Sequence, residues 1–405
     1  MNTSLIRGKQ EDQTPQVEGC EESKLPRRDW ILLPLLAIVT ICLIGFSAEI
    51  IARHILPASK TYLGQCLILN DPGGIRGVPN SVCTEKTPES EWTVYKFNDC
   101  GDYAEMPCGP KPPGSYRIVV VGSSFAMGER VTNQTRLSTV LSHQLSQRTH
   151  REINVYNQAT GEGFPQNVQA RFNDALALKP DMILWPLSPY DLKNVSAVEA
   201  GVYRAKTPAL IRLKDDILGG VLLDRVRTDL NATNAAVALR HFVIQEEGPD
   251  RYVTSYLRGP DSETGFLKAD FSPDWKANLR NFDRLAADIE KRSLAAGVPF
   301  VAFLAPTRAQ AAMISLGHWP GGYDPYQLDA ELRRTIVNYG GIWIDILPAY
   351  RTWPHPELDY LPVDGHQNAR ANAMISGLLV DSLISNGLPA LQPPYQTPIE
   401  MQRSR

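Results

Sequence analysis

Short apolar runs alternate with segments of helical periodicity along most of the chain. The runs cover residues 116–121, 153–156, 182–187, 299–304 and 342–346. Each has the length of a buried strand. The clearest helix begins at Ser272-Pro273, an N-cap residue followed by a proline at the first helical position. Its apolar face consists of Trp275, Leu279, Phe282, Ala286 and Ile289. Strands that alternate with helices predict an α/β domain over residues 115–388, a three-layer sandwich with a parallel sheet between two layers of helices.

Residues 30–48 form a different kind of apolar stretch, because no charge interrupts it. It is long enough to cross the ~30 Å hydrocarbon core of a membrane as a helix. Lys24, Arg27 and Arg28 flank its N-terminal end, which places residues 1–29 in the cytoplasm, as a disordered tail, and the rest of the chain outside. The alternatives are a cleaved signal peptide, which the preceding acidic residues disfavour, and a buried core helix. We predict a single-pass transmembrane anchor over residues 30–51.

Four of the six cysteines, Cys66, Cys83, Cys100 and Cys108, cluster after this stretch. In an exported segment they predict two disulfides, with three possible pairings. A zinc site would need closer spacing, and an inverted topology would leave free thiols. Because residues 52–114 are also rich in Gly, Pro and Asn, we predict an irregular, disulfide-stapled juxtamembrane segment that packs on the main domain.

Residues 193–271 interrupt the main domain without a recognisable motif. We predict that this insertion forms a cap beside the site and sets specificity. Residues 389–405 form a Pro-rich tail. The 41 basic and 44 acidic side chains leave a net charge of −3, which gives no electrostatic reason to expect nucleic acid. We expect neither a cofactor nor a metal.

Two polar clusters fall at the carboxyl edge of the predicted sheet, where such sheets place their sites. Gly122-Ser123-Ser124-Phe125 lies between the first strand and a helix, whose free N–H groups can stabilise an oxyanion. Alone, this sequence is more typical of an ordinary βα turn. Asp364-Gly365-His366 lies before the final helix, and an aspartate so close to a histidine can orient its imidazole. We predict Ser124 as the nucleophile, His366 as its base and Asp364 as the partner of His366.

Residues 115–388 resemble the SGNH or GDSL-like hydrolases, whose first motif is Gly-Asp-Ser-Leu/Phe and whose last motif places an Asp and a His two or three residues apart. Gly122-Ser123-Ser124-Phe125 matches the first motif except that Ser123 replaces the aspartate. Asp364, His366 and Asn368 fit the last motif. The stretch before the first strand is similar to that of membrane-bound bacterial members. The resemblance implies a flavodoxin-like sandwich, a Ser-His-Asp triad acting through an acyl-enzyme, and a periplasmic domain anchored in the inner membrane.

The resemblance also implies an oxyanion hole, where this chain departs from the family pattern. The family's second motif is a glycine that donates its backbone N–H, and either Gly161 or Gly163 could supply it, with Glu162 between them. The third motif is Gly-x-Asn-Asp, and Tyr190 replaces its Asn, so a phenol could donate or the donor could be lost. Arg308, after the fourth strand, could bind an anionic substrate or form a surface ion pair.

Three functions are compatible with these motifs. We favour a serine esterase acting on O-acyl (O-acetyl) esters of envelope carbohydrates, with a small-molecule or glycan ester as substrate. The second is an O-acyltransferase on extracytoplasmic polysaccharide, in which a sugar hydroxyl replaces water. The third is a catalytically inactive glycan-binding or assembly module, which the changes at Ser123 and Tyr190 suggest.

Overall fold

A computed structural model describes residues 26, 28–55, 60–69, 74–161, 163–193, 195, 233–246, 248–385 and 391. Helix α1 (Asp29–Ile55) contains the uncharged stretch, and its large aliphatic side chains are exposed. Its length and composition would allow it to cross a membrane. Residues up to Ile50 form a unit separate from residues 51–405. The predicted N-terminal tail, up to residue 25, and the Pro-rich tail, apart from Leu391, lie outside the described residues.

The segment after α1 is more regular than predicted, because it contains a β-hairpin. The strands of this segment are β1 (Lys60–Thr61), β2 (Leu67–Ile68), β3 (Arg76–Gly77), β4 (Val82–Lys86) and β5 (Thr93–Lys96), and the hairpin consists of β4 and β5. Strands β4 and β5 pair antiparallel, β1 lies along β4, and β2 pairs with β3. Burial alternates along β5, as expected for a strand with one covered face. The prediction of an irregular segment was therefore wrong for this hairpin.

Two disulfides staple the same segment. Cys66 is bonded to Cys83, and Cys100 is bonded to Cys108. The structure thus selects one of the three pairings that the sequence left open. Because Cys83 lies in β4, the first disulfide ties the hairpin to the short 3₁₀ helix Leu63–Cys66.

The main sheet has five parallel strands, as the apolar runs predicted. They are β6 (Tyr116–Val120), β7 (Ile153–Asn157), β8 (Met182–Leu187), β9 (Phe300–Leu304) and β10 (Ile342–Trp343). Their spatial order is β10-β9-β8-β6-β7, the flavodoxin-like order. Every residue of β6 to β9 is buried, which is typical of a sheet covered on both faces. Strands β6 and β9 are one residue shorter than the predicted runs, and β10 is three residues shorter, because residues 344–346 lie beyond it.

Helices cover this sheet in two groups. They are α2 (Ser124–Met127), α3 (Leu137–Thr149), α4 (Pro165–Ala177), α5 (Pro189–Lys193), α6 (Asn234–Glu246), α7 (Pro249–Tyr256), α8 (Asp261–Thr264), α9 (Pro273–Ala295), α10 (Arg308–Leu316), α11 (Gln327–Asn338) and α12 (Ala369–Ser385). Helix α3 packs against α12, while α4 packs against α9, which also contacts α11. The three-layer α/β/α sandwich is thereby confirmed. Helices α6 to α8 belong to the predicted insertion, whose residues 194, 196–232 and 247 lie outside the described residues.

The strand order has a topological switch point at β6. The chain passes from β6 to β7 on one side and then to β8 on the other side of β6. Loops that follow β6 and β8 therefore diverge, and such a switch point is where open α/β sheets bind ligands. Ser124 follows β6 and Tyr190 follows β8 at this edge.

Candidate active site

Ser124 begins the short helix α2 directly after a sharp turn. Gly122 has a φ of 137°, and a Cβ on it would lie 2.8 Å from the Cβ of Ala126. Only glycine adopts this conformation readily at such a close approach. Ser123 then remains extended as the N-cap and is buried, whereas Ser124 is half-buried. The turn therefore presents the hydroxyl of the second serine.

Three side chains from distant parts of the chain form a continuous hydrogen-bonded row. His366 Nε2 lies 2.8 Å from Ser124 Oγ, and His366 Nδ1 lies 2.5 Å from Asp364 Oδ1. An ionised carboxylate only accepts hydrogen bonds, so Nδ1 of the imidazole carries the proton. Nε2 is then free to accept the proton of the serine hydroxyl. The structure thus brings together the three residues that the sequence singled out.

Main-chain hydrogen bonds close the turn that carries Asp364 and His366. The N–H of Gly365 donates to Leu361 O, and the N–H of Leu361 donates to His366 O, both at 2.8 Å. Asn368 accepts the backbone N–H groups of Arg370 and Ala371 through its Oδ1, at 2.9 Å and 3.2 Å. Asn368 therefore caps the start of α12 and fixes where the turn ends.

The imidazole of His366 is largely buried, with 16 % of the side chain exposed. Its ring centre lies 5.1 Å from that of Phe125. Burial lowers the pKa of His366 to about 4, the carboxylates of Glu129 and Glu85 oppose this shift, and Arg130 adds to it. The imidazole is consequently neutral at pH 7, which is the form that accepts a proton.

Arg130 forms a second contact to the Asp364–His366 pair. Its guanidinium forms an ion pair with Asp364 Oδ2, and its Nη1 lies 3.2 Å from His366 Nδ1. The backbone N–H of Arg130 donates to the Tyr95 hydroxyl at 3.0 Å, and this hydroxyl donates to Glu85 at 2.8 Å. The hairpin β4–β5 therefore holds Arg130 against Asp364.

The loop after β7 brings backbone donors to the side of Ser124. Gly163 donates its N–H to Thr160 O at 2.9 Å, so this donor is used within the loop. A Cβ on Gly163 would lie 1.9 Å from Gly122 O, so the close approach of the two loops leaves no room for a side chain at this position. In the described part of the chain, the N–H of Gly161 has no acceptor. Glu162 lies outside the described residues.

Glu129 places a carboxylate between the imidazole and this loop. Its Oε2 lies 3.8 Å from His366 Nε2, and its side chain is 12 % exposed. Its Oε1 would lie 2.4 Å from a Cβ on Gly161. A substrate bound at Ser124 would therefore lie near a negative charge as well as near the imidazole.

Asn157, the last residue of β7, connects the two walls of the site. Its buried Nδ2 donates to Ala126 O at 2.8 Å, and its Oδ1 accepts the N–H of Ala159 at 3.0 Å. Helix α2 and the glycine-containing loop are thus held at a fixed separation.

Tyr190 and Arg308 lie outside the hydrogen-bonded row of Ser124, His366 and Asp364. The ring of Tyr190 lies 6.0 Å from that of Phe125, and its hydroxyl is hydrogen-bonded to Tyr256. Arg308 is only 3 % exposed, so the alternative of a surface ion pair was wrong. Its guanidinium donates to Pro362 O at 3.2 Å and lies 4.3 Å from the ring centre of Tyr252. Arg308 thus supports the chain just before Asp364.

Sequence reasoning missed Glu129 and Arg130. Both follow Gly128, which ends α2 in a left-handed conformation. Their nearness to Ser124 along the chain was the available signal, but nothing in the pattern shows that this loop turns back toward residues 364–366. Asn157 was hidden for another reason, since an asparagine at a strand end is common.

Comparisons with known proteins give structural likeness at low identity. No protein-family model and no curated protein matches the chain. An acetyl xylan esterase structure is similar over 66% of this chain and 100% of its own, with 9% identity and a TM-score of 0.38. A lipase/acylhydrolase from Enterococcus faecalis is similar over 66% and 95%, with 12% identity and a TM-score of 0.35. A psychrotrophic esterase from Pseudoalteromonas sp. is similar over 66% and 96%, with 11% identity and a TM-score of 0.35. At these values the likeness carries no functional argument, so function has to be argued from the site.

Proposed function

We propose that the protein is a serine ester hydrolase that works through an acyl-enzyme on Ser124. The observation that carries the proposal is the row from Ser124 Oγ to His366 to Asp364, with contacts of 2.8 Å and 2.5 Å. A serine hydroxyl becomes a useful nucleophile when a neutral, oriented base takes its proton. The neutral imidazole of His366, with its Nδ1–H directed at Asp364, meets that requirement.

The chemistry follows from the position of each proton. Ser124 Oγ attacks the ester carbonyl carbon while His366 Nε2 takes the hydroxyl proton. The C–O bond to the alcohol then breaks, and the imidazolium gives that proton to the departing alkoxide. Water attacks the acyl-enzyme by the same route, which releases the acid and restores Ser124. Asp364 stabilises the imidazolium in both half-reactions.

We assign the oxyanion to two backbone donors, the N–H groups of Ser124 and Gly161. Ser124 is the first residue of α2, where helix N–H groups lack partners within the helix. Gly161 is preferred to Gly163 because the Gly163 N–H already bonds Thr160. The assignment does not include Tyr190, whose buried hydroxyl interacts with Tyr256. One oxyanion donor typically contributes about 3–4 kcal/mol of transition-state stabilisation, so two suffice for substantial catalysis.

For the substrate we propose O-acyl esters of envelope carbohydrates, with O-acetyl groups as the simplest case. Two features support an extracytoplasmic site. Helix α1 could serve as an anchor, and two disulfides follow it, as is usual in oxidising compartments. In this proposal the protein is a single-pass protein of the inner membrane with its catalytic domain in the periplasm.

A fluorophosphonate probe tests the proposed function directly. Incubated with the full-length protein in detergent, it should form one covalent adduct, which peptide mass spectrometry should locate on Ser124. Ser123→Ala, a change at the neighbouring buried hydroxyl, is the matched control and should still be labelled. A folded protein that stays unlabelled would favour the inactive binding module. If p-nitrophenyl acetate is hydrolysed, product analysis with an added sugar acceptor separates hydrolysis from acyl transfer.

The pH profile should show the lowered pKa of His366. Because only the neutral imidazole accepts the serine proton, kcat/KM should hold between pH 7 and pH 5 and fall about tenfold per pH unit below the pKa of about 4. The free energy of unfolding should also fall at low pH. Between the ordinary histidine pKa of ~6.5 and the lowered pKa of about 4, the unfolded chain binds a proton at His366 that the folded chain does not, so the stability contributed by the buried neutral imidazole is lost as pH falls. Hydrolysis followed at the isosbestic wavelength of nitrophenol would measure the profile. An acid limb near the ordinary histidine pKa would contradict the burial argument.

A further inference from the structure

The turn between β4 and β5 is a rigid support for one carboxylate. The N–H of Thr87 donates to Ser90 Oγ and the N–H of Ser90 donates to Thr87 Oγ1, both at 3.1 Å. The two hydroxyls are also hydrogen-bonded, at 2.8 Å. Both residues are buried. These reciprocal bonds fix the turn that presents Glu89.

The carboxylate of Glu89 contacts the turn that carries the candidate catalytic pair. Its Oε1 and Oε2 both accept the N–H of Val363, at 3.1 Å, and Oε2 also accepts the N–H of Asp364 at 2.9 Å. The side chain of Glu89 is 3 % exposed. A carboxylate so shielded from water forms strong, charge-assisted bonds to amide donors. The main chain of Asp364 is therefore held by a residue from the hairpin.

A third donor reaches the same carboxylate from the insertion. Nδ1 of His241, in α6, lies 2.6 Å from Glu89 Oε1. Since the carboxylate accepts, this nitrogen donates. Glu89 thus joins three parts of the chain: the hairpin, the insertion and the turn before α12.

The hairpin also supports the Asp364–His366 pair through Arg130. Glu85 in β4 and Tyr95 in β5 hold Arg130, which contacts the Asp364 carboxylate. One hairpin therefore fixes both the backbone and the side chain of Asp364. Main-chain displacements of about 1 Å in such a position are known to cost on the order of 10²-fold in rate.

We propose that Glu89 is a positioning residue of the reaction, whose carboxylate holds the Asp364–His366 turn in register with Ser124 by accepting the N–H groups of Val363 and Asp364. The proposal rests on the proposed function of the triad. It makes the hairpin part of the active site, although it lies outside the α/β domain.

Glu89→Gln is the principal test. Both carboxylate oxygens accept hydrogen bonds, so an amide places at least one N–H against another donor. We expect kcat for p-nitrophenyl acetate to fall by about 10- to 100-fold, with KM within about twofold. The rate of fluorophosphonate labelling at Ser124 should fall in parallel. Because Glu89 is buried, the Tm of Glu89→Gln should fall below that of Glu91→Gln, so kcat of the two variants is compared well below both Tm values. Glu91 is an exposed carboxylate of the same hairpin, and its replacement should leave kcat unchanged.

Glu89→Asp keeps the test open if the glutamine variant fails to fold. It retains the charge but withdraws the carboxylate by one methylene, so kcat should again fall with KM preserved. Wild-type kcat in a folded Glu89 variant would overturn the proposal. Ser124→Ala, measured alongside, distinguishes this from failure of the proposed function: if it remains active, the triad itself is wrong.

Discussion

Ser124→Ala should remove ester hydrolysis, lowering kcat for p-nitrophenyl acetate on the order of 10⁴-fold or more. The Ser124 hydroxyl is the group that lies 2.8 Å from the His366 base, so no acyl-enzyme can form without it. The change deletes one atom from a half-buried position, so the free energy of unfolding should change by less than ~1 kcal/mol. Steady-state kinetics and urea unfolding of the detergent-solubilised protein would measure both.

The control for this prediction is the adjacent serine. Ser123→Ala also deletes one hydroxyl from the same turn, but that hydroxyl is buried beside Asp191, whereas His366 contacts Ser124. It should leave kcat within about tenfold of wild type, since it removes no interaction made in the transition state. Equal losses in the two variants would mean that the turn, and not the hydroxyl of Ser124, determines activity.

Asp364→Asn should lower kcat by about 10⁴-fold, the loss known for this substitution in another serine-hydrolase triad. The Asp364 carboxylate fixes the proton on His366 Nδ1 through a 2.5 Å contact. An amide group can instead donate to Nδ1 and leave the proton on Nε2, where the imidazole is no longer a base. The same variant breaks the ion pair with Arg130, so some loss of stability should accompany it.

Asp381→Asn serves as the matched control, because it removes an exposed carboxylate of α12 that pairs with Arg148 of α3. Exposed ion pairs typically contribute only about 0–1 kcal/mol, and kcat should not change. The expected defect of Asp364→Asn is catalytic, so labelling by the fluorophosphonate should slow in proportion to kcat. Retention of more than about a tenth of wild-type kcat would show that His366 is oriented by another group.

The sequence predicted those parts of the fold that depend on local pattern. Buried parallel strands appear as continuous apolar runs, so β6 to β9 could be located to within a residue or two. The last strand was overestimated, because Ile344 and Ile346 are buried without being in a strand. An apolar run records burial, and burial alone does not distinguish a strand from a packed loop.

The candidate site could be predicted where its residues fall at strand and helix ends. Ser124 and His366 follow this rule, because parallel strands bring their carboxyl ends to one edge. Arg130, Glu129 and Glu89 do not, since each acts through contacts to chain segments far away in sequence. Ion pairs and amide-to-carboxylate bonds leave no periodic signal. The choice between Gly161 and Gly163 likewise required coordinates, because it depends on which N–H is already used.

The Cys66–Cys83 bridge has a consequence for how the protein must be made. It pins β4, the strand that carries Glu85 and leads into the turn of Glu89. The proposed activity would then depend on whether the compartment in which the protein folds allows the Cys66–Cys83 disulfide to form, even though neither cysteine takes part in the proposed reaction. Protein produced in a reducing cytosol should contain a well-formed sheet and a poorly held Asp364–His366 turn, and oxidative refolding should restore the proposed hydrolysis of p-nitrophenyl acetate.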